Sequence, residues 1–369
     1  MKQFSLTTLS LLCAAVSPLC AEGMMRHSRG QQTSSCPTQQ FAAYTITPPA
    51  GAKPTNHVNP YFTAEFILWK AYEDGLDFAY TGAPTSTAQV NVEKGQVLHP
   101  GHKYEPGFKL GFGLKFLRDA WDLYANYTWL QVTDSKDFEN EDSDDGAQVH
   151  ANYFVPTFPN DVKGTIMNET SATWKLNFDV LDLELGRDFF ISKYLTLRPH
   201  FGFKFSWMKQ KFDVDYTNII AGVNVDALYP AGSNVDIDFK QTEFGVGIRT
   251  GIDTAWRLGN HFSIFGDLAL TGLWNHFKEK RKDEVETAAD VEYDTFNVKD
   301  TINEMTAVLE LAIGLRFDYA FNCDKNLFIM QAGWEQQIWF DQNQFFRAMS
   351  TDSENLTFEG LTAKIGFAF

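Results

Sequence analysis

The sequence predicts an all-β protein: a transmembrane antiparallel up-and-down β-barrel of about ten strands, or of about 12–16 if the long connections hide further strands. Three observations predict it. After residue 60, segments of roughly ten residues recur with apolar side chains at every second position, the period of a strand whose two faces differ. The connections between these segments alternate between short and long. The chain carries 33 Phe, 13 Tyr and 9 Trp, yet no window beyond its first twenty or so residues approaches the ~20 apolar residues of a membrane helix. A formal charge of -16 argues against a nucleic-acid partner, because phosphate binding needs clustered Lys and Arg.

Residues 1–21 read as a secretory signal peptide, with Lys2 as the positive start and Phe4 to Val16 as the apolar stretch. Cleavage is placed after Ala21, with Gly23 as a second option. Cys20 invites lipidation, but Ser17-Pro18-Leu19 is a poor match to the small residues such a site needs. Removal of the signal leaves two cysteines, Cys36 and Cys323, and makes the chain one unit more negative. Residues 22–59 are rich in Gln, Thr, Ser, Pro and Gly, cannot bury a core and read as a flexible periplasmic leader. Residues 60–369 form the predicted barrel.

Within it, Phe108, Leu110, Phe112, Leu114 and Phe116 share one face and Lys109, Gly111, Gly113 and Lys115 the other. Trp121, Leu123, Ala125, Tyr127 and Trp129 oppose Asp122, Asn126 and Thr128. Leu195 to Trp207, Phe244 to Trp256 and Leu309 to Tyr319 repeat the pattern, with Arg198, His200, Lys204, Glu243, Arg249, Asp253, Glu310, Arg316 and Asp318 on the polar side. Segments 61–72, 173–187, 261–277 and 327–340 fit less cleanly. The apolar phase shifts near Val180–Leu181, which predicts a β-bulge, and Pro199 predicts local irregularity. Leu361, Ala363, Ile365, Phe367 and Phe369 alternate with Thr362, Lys364, Gly366 and Ala368. A closing strand of this kind reads as an assembly signal for the barrel-insertion machinery.

Residues 117–119, 191–193, 258–260 and 322–325 are short turns, while 81–104, 133–170, 217–235, 278–300 and 341–354 read as long polar loops. An even strand number puts both chain ends on the short-turn, periplasmic side. A β-sandwich also alternates, but its outer face carries dense Lys, Glu and Thr, whereas these polar faces are rich in Gly. Trp69, Trp121, Trp129, Trp174, Trp207, Trp256, Trp274 and Trp339 fall near strand ends, where interfacial aromatic girdles sit.

Three stretches resemble the major-outer-membrane-protein-like porins of chlamydia-related bacteria and of the Legionella type: Phe66–Ala71 followed by Glu73–Leu76, Val180–Arg187, and Leu197–Gly202. The resemblance runs from about residue 60 to the end. It implies a surface-abundant channel protein of the bacterial outer membrane, with adhesive roles in some relatives and porin-like homo-oligomers. The cysteine-rich, cross-linked coat of the chlamydial group is not matched by a mature chain with two cysteines.

If the apolar faces meet lipid, the opposite faces line the lumen. The predicted pore-lining residues are Lys109, Lys115, Asp122, Arg198, Lys204, Glu243, Arg249, Asp253, Glu310, Arg316, Asp318 and Lys364, with further acids at Glu65, Asp182, Glu184, Asp267 and Glu335. The function expected is passive diffusion of small hydrophilic solutes and ions. The alternative is a plugged barrel acting as a surface adhesin or structural protein through its loops, because a ten-stranded barrel falls between filled and open sizes. The acidic run from Asp134 to Asp145 does not match an EF-hand and reads as a solvated loop; with Asp283 to Asp294 it would favour cations at the mouth. Cys36 and Cys323 would both face the oxidising periplasm and are a candidate disulfide. His150, His261 and His276 stand in no catalytic spacing, and no phosphate-loop, dinucleotide or zinc motif is present, so neither enzyme activity, metal nor cofactor is expected. The expected partners are the bilayer, the assembly machinery, small solutes and, through the loops, a host-surface ligand.

Overall fold

The computed structural model describes residues 58–81, 95–116, 120–139, 149–153, 166–220, 230–259, 261–322, 325–347 and 353–369. The signal peptide, nearly all of the leader, and both Cys36 and Cys323 lie outside the described residues. The strands are β1 (Val58–Glu73), β2 (Ala79–Thr81), β3 (Val97–Leu98), β4 (Tyr104–Phe116), β5 (Trp121–Glu139), β6 (Val149–Ala151) and β7 (Ile166–Arg187). They continue as β8 (Phe189–Phe190), β9 (Leu195–Ile220), β10 (Asn234–Arg257), β11 (Phe262–Glu286), β12 (Glu292–Phe321), β13 (Asn326–Asn343) and β14 (Glu354–Ala368).

Ten of these close a barrel of antiparallel neighbours: β1, β4, β5, β7, β9, β10, β11, β12, β13 and β14, with β14 returning to β1. Tyr61 lies opposite Ala368 and Val58 opposite Phe116, so the first and last strands begin and end on the short-turn side. Among the described residues, the long connections add only β2, β3 and β6, a small sheet that joins the outer end of β7. They do not widen the barrel to 12 or more strands.

The wall is uneven. β9, β10, β11 and β12 run 26, 24, 25 and 30 residues, against the ~9–11 that cross a membrane. β4 and β14 have 13 and 15. Much of what reads as loop in 133–170, 217–235 and 278–300 is therefore strand that rises beyond the bilayer. Asp134 is a fully buried strand residue, not part of a solvated loop.

The phase shift in β7 has a different cause from a bulge. Its pairing with β5 and with β9 passes through Val180 and Leu181 without a register shift. Trp174, Leu176, Phe178 and Val180 point inward and are buried, while Leu185 on the opposite phase is exposed to lipid. The same flip occurs in β1, from outward Phe62 and Phe66 to inward Ile67, Trp69 and Ala71. In β9, outward Phe201, Phe203 and Trp207 give way to inward Met208, Phe212, Val214 and Tyr216. Within the membrane the apolar solvent is outside the wall; above it, water is outside and the apolar side chains must turn in. Register shifts occur instead at Asp283/Glu284 and at Trp339/Asn343. Pro199 sits in an unshifted ladder with Ile252, one residue beyond the last β7 pair, Gly186 with His200.

Above the bilayer the tall side encloses its own core. Tyr153, Phe212, Phe239 and Phe345 pack ring on ring at centroid distances of 5.2–6.3 Å. The Tyr216 hydroxyl donates to the Phe78 carbonyl at 2.5 Å and that of Tyr153 to the Gly75 carbonyl at 2.5 Å. Arg281, 1% exposed, donates from Nε and Nη2 to the two Asp283 oxygens at 2.8 and 2.7 Å, beneath the rings of Phe239 and Phe296. The low side is capped by residues 341–347: Gln241 Nε2 donates to the Gln342 carbonyl at 2.8 Å, and Asn343 Nδ2 to the Asp74 carbonyl at 2.8 Å.

Candidate functional site: the barrel lumen

The period-2 pattern of each strand carries its charged residues inward, and the closed sheet brings them together. Eleven of the twelve residues predicted to line a pore border a single cavity of about 360 Å³ in the periplasmic half; Glu243 lies apart, accepting a 2.7 Å hydrogen bond from Ser206. Most of the charges inside are paired, Asp267 being the exception among the described acids of the lining. Arg198, reaching in from β9, donates to Asp122 at 2.7–3.2 Å, to Asp253 at 2.6 Å and to Glu184 at 3.2 Å. His200 Nε2 lies 3.4 Å from Asp253 Oδ1. Lys115 pairs with Asp188, and Arg257 and Arg316 with Asp318. Lys364 approaches Glu65 at 3.7 Å.

Deeper in, pairing is tighter and drier. Lys109 Nζ donates to both oxygens of Glu335 at 2.7 and 2.6 Å, with Glu65 at 3.7 Å. Lys204, 1% exposed, bridges Asp182 at 2.8 Å and Glu310 at 2.7 Å. Arg249 joins Glu184 at 2.7 Å and Glu310 at 2.5 Å. Small residues on the inner wall let neighbouring strands approach: a Cβ at Gly202 would overlap the Leu183 carbonyl oxygen.

An aromatic layer lies directly above these pairs. Phe178 packs edge-on against Trp339 at 5.3 Å and against Phe358 at 4.6 Å, and Trp69 against Phe358 at 5.7 Å. All four are at most 1% exposed. Lys109 sits 4.7 Å from the Trp69 ring and Lys204 5.5 Å from that of Trp339, so the ionic and aromatic layers are one packed unit. Trp339 Nε1 donates to Gln337 Oε1 at 3.1 Å, and Trp174 Nε1 to Gln210 Oε1 at 3.0 Å.

Three tryptophans therefore differ from their expected place. Trp69, Trp174 and Trp339 do not belong to a girdle; they fill the lumen, because they lie on the inward phase of their strands. Trp121, Trp207, Trp256 and Trp274 are exposed on the outer wall. Asp283, expected at the mouth, is fully buried against Arg281. The candidate acid–base residues are scattered. His150 is buried against Tyr80, His261 Nδ1 lies 3.1 Å from the Asp318 carbonyl, and His276 Nδ1 lies 2.8 Å from Asn303 Oδ1 on the outer face. Among the described residues no group of three or more His, Cys, Asp or Glu could hold a metal ion.

A closed ten-stranded wall with a lipid-facing apolar band and a polar, ion-paired interior defines an outer-membrane β-barrel protein. The chain belongs to the family described as the Legionella pneumophila major outer membrane protein, which matches residues 53–369. No curated protein matches the sequence. Among solved structures it is similar to the outer membrane protease OmpT of Escherichia coli, at 11% identity and a TM-score of 0.40 over 84% of this chain and 96% of that one. It is also similar to a major outer membrane protein of Thermus thermophilus, at 13% identity and a TM-score of 0.27 over 84% and 99%. A third likeness is to Ail, the attachment invasion locus protein of Yersinia pestis, at 11% identity and a TM-score of 0.22 over 85% and 100%. At these scores nothing about the activity of this chain follows from them.

Proposed function

We propose that this protein is a closed, non-enzymatic outer-membrane barrel whose working surface is the wall and core that rise above the bilayer, serving structural and surface-contact roles. The observation that carries the reading is the layer of Trp69, Phe178, Trp339 and Phe358 above the Lys109 and Lys204 ion pairs, all of it buried. An open diffusion pore needs a continuous wet path, and its wall charges need solvent. Here the opposite charges neutralise one another across the lumen, and the aromatic rings occupy the space above them.

A second reading is favoured by the cavity of about 360 Å³ beneath the layer, lined by Arg198, Asp253, Lys364 and Arg316. It is that of a narrow passage for small hydrophilic solutes, which conducts only when the aromatic layer swings aside.

Ion conductance of the refolded mature protein in a planar lipid bilayer separates the two. The closed reading expects no stable conductance steps from the wild type, and discrete steps from Phe178→Ala/Trp339→Ala. Stable wild-type steps with a defined reversal potential would overturn it in favour of the pore.

A further inference from the structure

The outer face of the tall wall carries a ladder of lysines in direct cross-strand register. Lys175 of β7 lies opposite Lys211 of β9, Lys211 opposite Lys240 of β10, Lys240 opposite Lys280 of β11, and Lys280 opposite Lys299 of β12. All five belong to the outward phase, which alternates with the buried positions Trp174, Gln210, Gln241 and Arg281. Neighbouring strands lie about 4.8 Å apart, so the ladder spans roughly 19 Å. The adjoining row toward the membrane adds Lys209 and Lys278 and contains no acid: Asn177, Lys209, Thr242, Lys278 and Thr301 stand in register.

Such a row is costly for the sheet. Like charges directly opposite one another on neighbouring strands repel. The chain as a whole is strongly acidic, so the concentration of positive charge here is not a by-product of composition. Asp213 and Asp238 compensate part of it, at 2.7 Å from Lys211 and 3.2 Å from Lys240. Among the described residues, Lys175, Lys280 and Lys299 make no ion pair within 4.0 Å.

The position of the ladder identifies what could supply the missing charge. The next row toward the membrane reads Asp179, Trp207, Phe244, His276 and Asn303, with Asp179 taken up by the Tyr127 hydroxyl and with Trp274 and Met305 below, all on the outer face. These mark the upper edge of the lipid-facing band. Lys211 follows Trp207 by four residues, about 13 Å along a strand, or about 10 Å of height at the usual barrel tilt. A lysine side chain reaches back from there into the headgroup layer. Farther out the sign reverses: four residues beyond the ladder on β9, β10 and β11, Asp215, Asp236 and Glu284 occupy one outward row with Asp294.

We infer that the Lys175–Lys211–Lys240–Lys280–Lys299 ladder is a binding site for the phosphorylated headgroups of the glycolipid in the outer leaflet. The phosphates neutralise the lysine row, the acyl chains lie against the band topped by Trp207 and Trp274, and the acidic row above sets an upper limit to the anionic contact. The site would fix the height of the tall wall in the bilayer.

The test is lipid retention by the folded mature protein in neutral detergent micelles, read by native mass spectrometry with lipid A, dephosphorylated lipid A and inorganic phosphate as probes. The expected result is binding of lipid A at least about tenfold tighter than of its dephosphorylated form, weakened by salt. Changing all five lysines to Gln should lower lipid A binding by at least about tenfold, and changing them to Arg should preserve it. Inorganic phosphate at the lipid concentration should not compete. Equal binding of the two lipids, an unchanged Gln variant, or full competition by phosphate alone would overturn the proposal. So would a Gln variant that alters only the oligomeric state in neutral lipid, since the ladder would then be a protein interface. If the Gln variant fails to acquire the heat-modifiable gel mobility of a folded barrel, the two-lipid comparison on the wild type decides.

Discussion

The pairing of Lys109 with Glu335 measures whether the middle of the lumen is dry. The two groups meet at 2.6 Å and are 8% and 7% exposed, and Lys109 lies under the Trp69 ring. At that separation the Coulomb attraction is about 1.6 kcal/mol in bulk water but about 6 kcal/mol at an effective dielectric constant of 20. Pairs that remain in water yield ~0.2–1 kcal/mol in double-mutant cycles. Removing one partner of a buried pair costs ~3–5 kcal/mol, because the other charge is left unpaired. The cycle is Lys109→Met, Glu335→Gln and the double variant, followed by urea unfolding of the barrel in lipid vesicles under reversible conditions. In Lys109→Met the Glu335 carboxylate keeps only the Gln337 amide as donor, at 2.8 Å. In the double variant the amide that replaces this carboxylate keeps the same partner without a net charge. The expected coupling energy is therefore about 3 kcal/mol or more, with each single variant less stable than the double. Tryptophan fluorescence should report the same transition as the gel-mobility shift. A coupling of about 1 kcal/mol or less would mean that water reaches the pair, and the closed-lumen reasoning would fail with it.

Two further outcomes follow from the wall itself. Glu279 is buried in the part of β11 above the bilayer; burial first, and the charge of Asp300 second, raise its carboxyl from 4.5 to about 8. The folded state then holds the proton more tightly than the unfolded chain, so stability present below about pH 4.5 is lost as the pH rises toward 8, by at most about 1.4 kcal/mol per unit. Thermal unfolding of the wild type should show this slope and Glu279→Gln should flatten it; an unchanged slope in the variant would assign the effect elsewhere. Gly202→Ala places a methyl group against the Leu183 carbonyl oxygen, so the yield of heat-modifiable barrel should fall sharply; a wild-type yield would show that β7 and β9 can separate at little cost.

Some of the protein is legible in one dimension. The inward positions of Lys109, Asp122, Arg198, Arg249 and Glu310 follow from period 2, since one strand residue in two must face the interior. Ten strands, and the shared side on which the first strand begins and the last one ends, follow from counting them. The tall wall reads as loops because a strand is recognised by one apolar phase, whereas above the membrane that phase inverts. The signal is nevertheless present, in the shift at Val180–Leu181 and in the runs Phe212-Val214-Tyr216 and Val235-Ile237-Phe239.

By itself, the sequence determined the class of protein, because a membrane imposes a local rule: every crossing segment must show lipid an apolar face and satisfy its backbone in a closed sheet. Only the tertiary structure decided how the interior is packed and paired. Whether Trp69 faces lipid or lumen depends on the side of the wall that water occupies at its height. Whether Lys204 lines a channel or closes one depends on Asp182, Glu310 and Trp339, which lie on three other strands. The lysine ladder likewise exists only in the register that places Lys175, Lys211, Lys240, Lys280 and Lys299 side by side. Alternation is a property of one strand; closure, pairing and charge ladders are properties of neighbours that the chain brings together only when the barrel is shut.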